Sequence, residues 1–300
     1  MFEPQYLDNN KNKMGEEKTL VIKIDWWLWR VIAMTGAITE VAKKRPVKVI
    51  TSWPLAFWWN PYIKSTYWLD NRRLFEDVIK WNDYYELEPY TDSRFFNDWV
   101  NWLEIARDKF WLEEVAQPIL YLAEHEKINN ILDWNRPVLF QPFWSSMQWN
   151  WADKSYRSLR IEDAQYIADA LRSLWYTVYV VERNDQPKLQ WCIQLTADSV
   201  RWLVTLAARY PVFGVDSSMH HAAKAFWKQA LVIRSGTDAG RFWYDSHINL
   251  RNDTPYEYVP FRLGVDFDTD IVNQYTNIFT KEFLNGAIEE FVNMSKKFSY

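Results

Sequence analysis

Apolar residues in this chain follow two alternating rhythms, short β-branched runs and longer stretches with helical spacing. The first series predicts strands at TLVIKI (19–24), VKVITS (47–52), STYWL (65–69) and DYYELEP (83–89). Between and after them the spacing predicts helices from Val31 to Lys44, near 71–80 and near 96–110. The polar stretch EHEKINNILDWNRP (124–137) ends in Pro137 and is read as a boundary. A second series then predicts strands at PVLFQPF (137–143), TVYVVE (177–182), CIQLT (192–196), PVFGVDS (211–217) and QALVIRS (229–235). Its helices fall near 160–174, at 198–209 and from about 219, and a last helix runs from about Lys281 to Phe298.

Strands that alternate with helices and are apolar on both sides belong in parallel sheets covered on both faces. The expected class is therefore α/β, with two facing Rossmann-like halves and a cleft between them. The divisions expected are a polar tail at 1–17, an N-terminal half at 18–134, a C-terminal half at 135–280 and a closing helix at 281–300. Ligands in such sheets sit outside the carboxyl ends of the strands. The loops after Ile24, Phe143, Glu182, Val215 and Ser235 are thus the places to look for chemistry.

Composition narrows the classes. With 300 residues, 48% apolar and 25% charged, the chain can bury a large core, and disorder is excluded as its main state. A net charge of −4 supplies no basic field for a nucleic-acid backbone. The single Cys192 permits neither an internal disulfide nor a thiolate zinc cage. The opening residues lack the apolar run of a signal peptide, and no stretch reaches about 18 uninterrupted apolar residues. A cytoplasmic address is expected, with at most peripheral membrane contact.

One pair of counts is abnormal: 7 Gly against 20 Trp. Average usage predicts roughly 21 Gly in a chain of this length. Trp111, Trp134, Trp175 and Trp227 each stand where a helical segment gives way to the next element. That position commonly adopts the left-handed conformation, which suits Gly and strains a bulky side chain. Trp26, Trp27 and Trp29 lie in the turn between the first strand and its helix, and Trp144 repeats this after PVLFQPF. Many of these Trp are therefore read as Gly codons decoded under the wrong code. UGG and UGA each differ from a Gly codon by one base, and UGA is read as Gly in some bacterial lineages. The alternative takes the aromatics at face value, as core fillers such as Trp102 or as sugar-stacking platforms.

The stretch richest in chemistry runs from Val212 to Trp227. A buried strand delivers Asp216, Ser217 and Ser218 to its carboxyl end, and a helix of small residues starts at once. Free backbone N–H groups and the positive end of the helix dipole make that start an anion site. Without a ligand, the same residues serve as a plain helix cap. His125 and His247 are isolated, and no His/Asp/Glu spacing suggests a metal triad. No Walker loop and no Gly-x-Ser-x-Gly elbow occurs.

The 212–227 run resembles the Asp-Ser/Thr-Gly-x-x-His-x-Ala-x-Ala-x-Gly signature of the heptosyltransferase-like glycosyltransferases, family nine. Asp216, Ser217, His221, Ala223 and Ala225 match in register, while Ser218 and Trp227 fall on the family's Gly positions. The family's opening Leu-Gly-Asp-Val-Ile is matched by Leu28-Trp29-Arg30-Val31-Ile32. The segment from Gln141 to Leu159 is similar to its Pro-Gly-Ser loop with a following Lys, and Ser235-Gly-Thr to its Gly-x-Thr segment.

The resemblance implies a fold of the glycosyltransferase B type and transfer of a sugar from a nucleotide-diphosphate donor to a glycan or lipid-linked hydroxyl. It implies no cofactor and no metal, the nucleotide sugar being a co-substrate. Donor and phosphate contacts are expected from Ser145, Ser146, Lys154, Glu182, Asp216, Ser217, Ser218, His221, Gly236 and Thr237. Arg30 occupies the position of the family's general base, and a guanidinium cannot take up a proton. Either another carboxylate serves, with Asp25 on the same loop and Glu88 or Asp92 after the fourth strand as candidates, or the chemistry has shifted and Arg30 holds a phosphate or an acidic acceptor. The alternative is a non-catalytic sugar-nucleotide or glycan-binding protein on the same fold.

Overall fold

In the computed structural model the described residues are 18–25, 27–88, 91–98, 100–129, 132, 135–144, 158–182, 186–196, 199–234, 243–251 and 279–298. They form two fully parallel sheets. The first has β1 (Leu20–Lys23), β2 (Val47–Thr51), β3 (Ile63–Trp68) and β4 (Asp83–Glu86) in the order β3-β2-β1-β4. The second comprises β5 (Pro137–Gln141), β6 (Thr177–Glu182), β7 (Ile193–Thr196), β8 (Val212–Val215), β9 (Ala230–Arg234) and β10 (Ile248–Arg251). Its order is β10-β9-β8-β5-β6-β7.

The helices are α1 (Leu28–Lys44), α2 (Ser93–Asn97), α3 (Trp102–Lys109), α4 (Glu124–Asn129), α5 (Ile161–Ser173), α6 (Val200–Leu206), α7 (Ser218–Ala225) and α8 (Lys281–Ser295). Strand alternation sorts the second sheet's side chains into two cores. Val138, Phe140, Val178, Val180, Leu231 and Ile233 point to the side held by α5 and α8. Leu139, Tyr179, Val181, Val212 and Val232 point to the side held by α6 and α7. That second core continues without a break into β1, β2, α1 and α3 of the first sheet. On the other face of the first sheet Val21 and Ile50 are buried beneath Val78, which lies on a π turn at Phe75–Ile79, with Tyr67, Leu69, Leu74 and Ile79 packed around them.

Several elements differ from the sequence expectation: the helix expected near 71–80 is a π turn, and α1 starts at Leu28, so Trp29 lies in the helix and not in the turn before it. The helix expected near 96–110 is two helices, because Asp92 and Asn101 each accept a backbone N–H and start a new one. The polar stretch read as a boundary contains α4. The strand β10 was not expected, since its four residues INLR are short, half-polar and at a sheet edge.

Two glycines are needed for close approach. A Cβ on Gly36 of α1 would lie 1.8 Å from the carbonyl oxygen of Gln117, and one on Gly214 of β8 would lie 2.5 Å from that of Gln141. Neither glycine uses the left-handed region, nor does Gly286. Among the described residues six others do: Arg136 and five Trp, at 59, 111, 175, 191 and 227. For an L-residue that conformation costs about 1–2 kcal/mol.

Segments around the two sheets touch through buried groups. Arg201 of α6, 3% exposed, donates through Nε and Nη2 to the two Glu126 carboxylate oxygens, each at 2.8 Å. It also donates to the carbonyls of Leu55, at 3.0 Å, and of Tyr121. Burial raises the Glu126 pKa, but the Arg201 hydrogen bonds and the Ala123 N–H outweigh it, so the carboxyl is held below its usual range. Leu120 N donates to Ala225 O at the end of α7, at 3.4 Å.

Candidate functional site

Two helix starts meet at the line between the sheets. Helix α7 begins behind β8, whose four residues are all buried, and α1 begins behind β1. The two helices pack on each other, and the indole of Trp29 stacks on the imidazole of His221 at 5.4 Å and 20°. Trp29 also packs against Trp102, with ring centroids 4.8 Å apart. Nearby, Trp27 lies 5.8 Å from Trp144, so the loop after β1 touches the loop after β5. Indoles fill this junction. The void lined by Trp29, Ala33, Trp102, His221 and Tyr244 is about 10 Å³, room for one water at most.

At the α7 start, Asp216 is buried and its Oδ1 accepts from His220 Nε2 at 2.7 Å, with Arg234 Nη1 at 3.4 Å. Ser217 donates its hydroxyl proton to Gln141 Oε1, and Met219 N–H donates to the same oxygen at 3.2 Å. A side-chain carbonyl from β5 thus sits where an anion would collect the free donors of α7. Ser218 is the first helical residue and is part-buried. His221 Nδ1 is 2.6 Å from Tyr244 Oη, and His247 bridges Ala230 N and His220 O.

Burial dominates the electrostatics of this cluster. Desolvation lowers the His220 pKa in spite of the Asp216 carboxylate, and lowers that of His221 further. His247 is lowered to about 3 by burial, with the neighbouring His220 adding to it. Burial also raises the Tyr244 phenol, so the three imidazoles and the phenol are neutral near pH 7. His220 Nδ1 and His221 Nε2 have no hydrogen-bond partner among the described residues. Asp216, His220 and His221 bring one potential ligand atom each to within 4.8 Å of one another. The Arg234 guanidinium on the same carboxylate opposes a metal cation there.

Across the junction, Arg30 is 2% exposed, ion-paired to Glu88 at 2.6 Å and hydrogen-bonded to Leu87 O at 3.2 Å, with Trp102 beneath its guanidinium. Glu88 is thereby held by a cation. Asp92 caps α2 and accepts from Arg94, which lowers its pKa. Of the three candidate carboxylates, Asp25 is the one with no ion pair among the described residues, and it accepts from Ser52 Oγ at 2.5 Å.

The structure groups Asp216, Ser217, Ser218 and His221 at the α7 start. Arg30 is on α1, which packs against α7, but its guanidinium is turned to Glu88, and Asp25 lies two residues past β1, hydrogen-bonded to Ser52. Ser145, Ser146, Lys154, Gly236 and Thr237 lie outside the described residues, as does the side chain of Glu182, which ends β6 opposite Thr196. Sequence reading missed His220, Arg234, Gln141 and Tyr244. The Asp216–His220 spacing of four in a helical start was a legible signal. A larger hollow of about 240 Å³, lined by Arg172, Thr177, Trp191 and Ile193, lies at the amino ends of β6 and β7. That is the opposite end of the sheet from the loops that carry ligands in this architecture.

No protein-family profile and no curated protein sequence matches the chain. Solved structures do match. A family 9 glycosyl transferase from Veillonella parvula is 12% identical, with a TM-score of 0.57 over 78% of this chain and 85% of that one. The dodecameric iron-containing heptosyltransferase TibC, in complex with ADP-D-β-D-heptose, is 14% identical, with a TM-score of 0.66 over 96% and 81%. E. coli heptosyltransferase WaaC with ADP is 11% identical, with a TM-score of 0.62 over 92% and 99%. The resemblance to the family nine heptosyltransferases therefore holds at the level of the whole fold. Among the described residues no helix is long and apolar enough to cross a membrane.

Proposed function

We propose that the chain is a metal-independent glycosyltransferase that moves a sugar from an ADP-heptose-like nucleotide-diphosphate donor to a hydroxyl of a glycan or lipid-linked acceptor, in the cytoplasm. The observation that carries this reading is the packing of the α7 start, behind Asp216, against the α1 start. A diphosphate at the first would face an acceptor at the second, across the junction that the indoles of Trp27, Trp29 and Trp144 fill.

The acceptor oxygen attacks the anomeric carbon, the bond from that carbon to the diphosphate breaks, and the diphosphate leaves with the electron pair. Ser217, Ser218 and the α7 amides stabilise the charge that develops on it, with Ser145, Ser146 and Lys154 from the loop after β5 and Gly236 and Thr237 from the loop after β9. Glu182 takes a ribose hydroxyl, and the imidazole of His221 lines the floor. The acceptor proton goes to Asp25, the candidate carboxylate with no ion pair among the described residues. Arg30, buried and locked to Glu88, holds that carboxylate in place and takes no proton itself.

A second reading has an observation of its own: a neutralised guanidinium stands where the family's base belongs. It makes the chain a binder of sugar nucleotides or glycans without turnover. A nucleotide-sugar panel separates the two. Release of the nucleoside diphosphate that depends on acceptor, and is lost in Asp25→Asn with donor binding retained, supports transfer. Donor binding with no release over the whole panel favours the binder, and no binding of any donor removes both.

A further inference from the structure

Five exposed tryptophans occupy backbone sites built for glycine. Their φ values are 63° at Trp59, 48° at Trp111, 66° at Trp175, 60° at Trp191 and 60° at Trp227. Three of these sites share one hydrogen-bond pattern. After α3, Trp111 N bonds Asp108 O and Leu112 N reaches back to Arg107 O at 2.9 Å. After α5, Trp175 N bonds Arg172 O and Tyr176 N reaches Leu171 O at 3.1 Å. After α7, Trp227 N bonds Lys224 O and Lys228 N reaches Ala223 O at 2.9 Å. The six-to-one bond defines a Schellman helix end, whose left-handed residue is ordinarily Gly.

Trp59 is the third residue of a turn closed by Asn60 N on Phe57 O, and Trp58 before it has φ −58° and ψ 139°. That is a type II turn, which needs a positive φ at its third residue and takes Gly there. The contrast with Arg136 is instructive. Its φ is also positive, but its side chain is tied to Leu174 O and Tyr176 Oη and stacks over the Tyr176 ring. The five indoles are 57–84% exposed, so burial does not hold them in place. Non-glycine residues in this region are ordinarily Asn or Asp, and among the described residues neither occurs there.

We propose that the polypeptide made in its own cell carries Gly at 59, 111, 175, 191 and 227. The codons written as Trp are UGA, read there by a glycine-charged tRNA. The same decoding at Trp27, Trp29 and Trp144 empties the junction that their indoles fill, leaving a channel between the carboxyl ends of the two sheets over His221 and Arg30. This last step rests on the transferase reading; the decoding itself does not.

Peptide mass spectrometry on the protein isolated from its native cell is the direct test. Gly at all five positions is expected, and Trp at any of them overturns the proposal. An independent test uses recombinant chain with each Trp replaced in turn. Trp→Gly raises Tm by about 2–4 °C per site, whereas Trp→Ala, which removes the indole and keeps the left-handed strain, gives no such gain. Equal gains from Ala and Gly overturn the backbone argument. In the five-Gly chain, W27G, W29G and W144G together are expected to give a thermal shift with ADP. No shift with ADP, beside Gly in the native peptides, removes the donor site and leaves the decoding standing.

Discussion

The chain starts one helix behind β1 and another behind β8, and builds the two starts from opposite materials. At α7 the residues are small and polar, and a neighbouring strand lends Gln141 Oε1 to Ser217 Oγ and Met219 N. At α1 the N-cap is Trp27, with no side-chain cap and no acidic residue in the first turn. The first start has its donors engaged by a neutral side-chain carbonyl, in the place an anion would take. The second is capped only by its own backbone and covered by indoles. Identical topology therefore gives one electrostatic site and one steric plug, and the difference lies in side-chain volume.

The largest expected effect comes from removing the charge behind α7. Asp216→Ala takes the carboxylate from a fully buried Arg234 and is expected to cost about 3–5 kcal/mol in urea unfolding. A loss below about 1 kcal/mol breaks the view that this start is electrostatically organised.

Acid separates the two starts next, because the imidazoles lie on the α7 side. His247, lowered to about 3 by burial, stays neutral in the folded chain while the unfolded chain takes its proton near pH 6.5. Its contribution is complete above about 6.5 and is lost as pH falls from there toward about 3. The slope is about 1.4 kcal/mol per pH unit for one such histidine. His247→Gln should flatten stability against pH by that amount between 6 and 4, about two units. An unchanged slope contradicts the burial argument.

Gln141→Ala sharpens the comparison at lower cost. It leaves Met219 N–H without the Gln141 oxygen, a loss of about 1 kcal/mol, and opens the α7 start. Inorganic phosphate should then raise Tm more in the variant than in the parent chain, and equal shifts count against an anion site. The smallest effect is at α1. Trp27→Ser supplies the missing cap, worth about 0.5 kcal/mol of gain by thermal unfolding, and a net loss means the Trp27–Trp144 contact outweighs it.

Much of this was legible because it is local. Six-residue runs such as TVYVVE alternate between two cores, and β6 covers all of that run. Helix ends are local too: Trp111, Trp175 and Trp227 were expected in the left-handed region and have positive φ. The break at 98–101 was visible only in retrospect, since Asn101 resembles any helix-tolerant polar residue until its side chain is seen on Leu103 N. β10 carried too few apolar residues to stand out, and its pairing with β9 supplies what its pattern lacks.

The sequence alone determined the alternation of strands and helices through β9, the helix start behind Asp216 and the aromatics at helix ends. Each depends on residues within a turn or two of one another. Only the tertiary structure decided that Trp29 lies on His221, that Arg30 is tied to Glu88 and that Gln141 occupies the α7 start. Those partners are far apart along the chain. Which of them meet is set by how two sheets and their covering helices pack, and no local period encodes that.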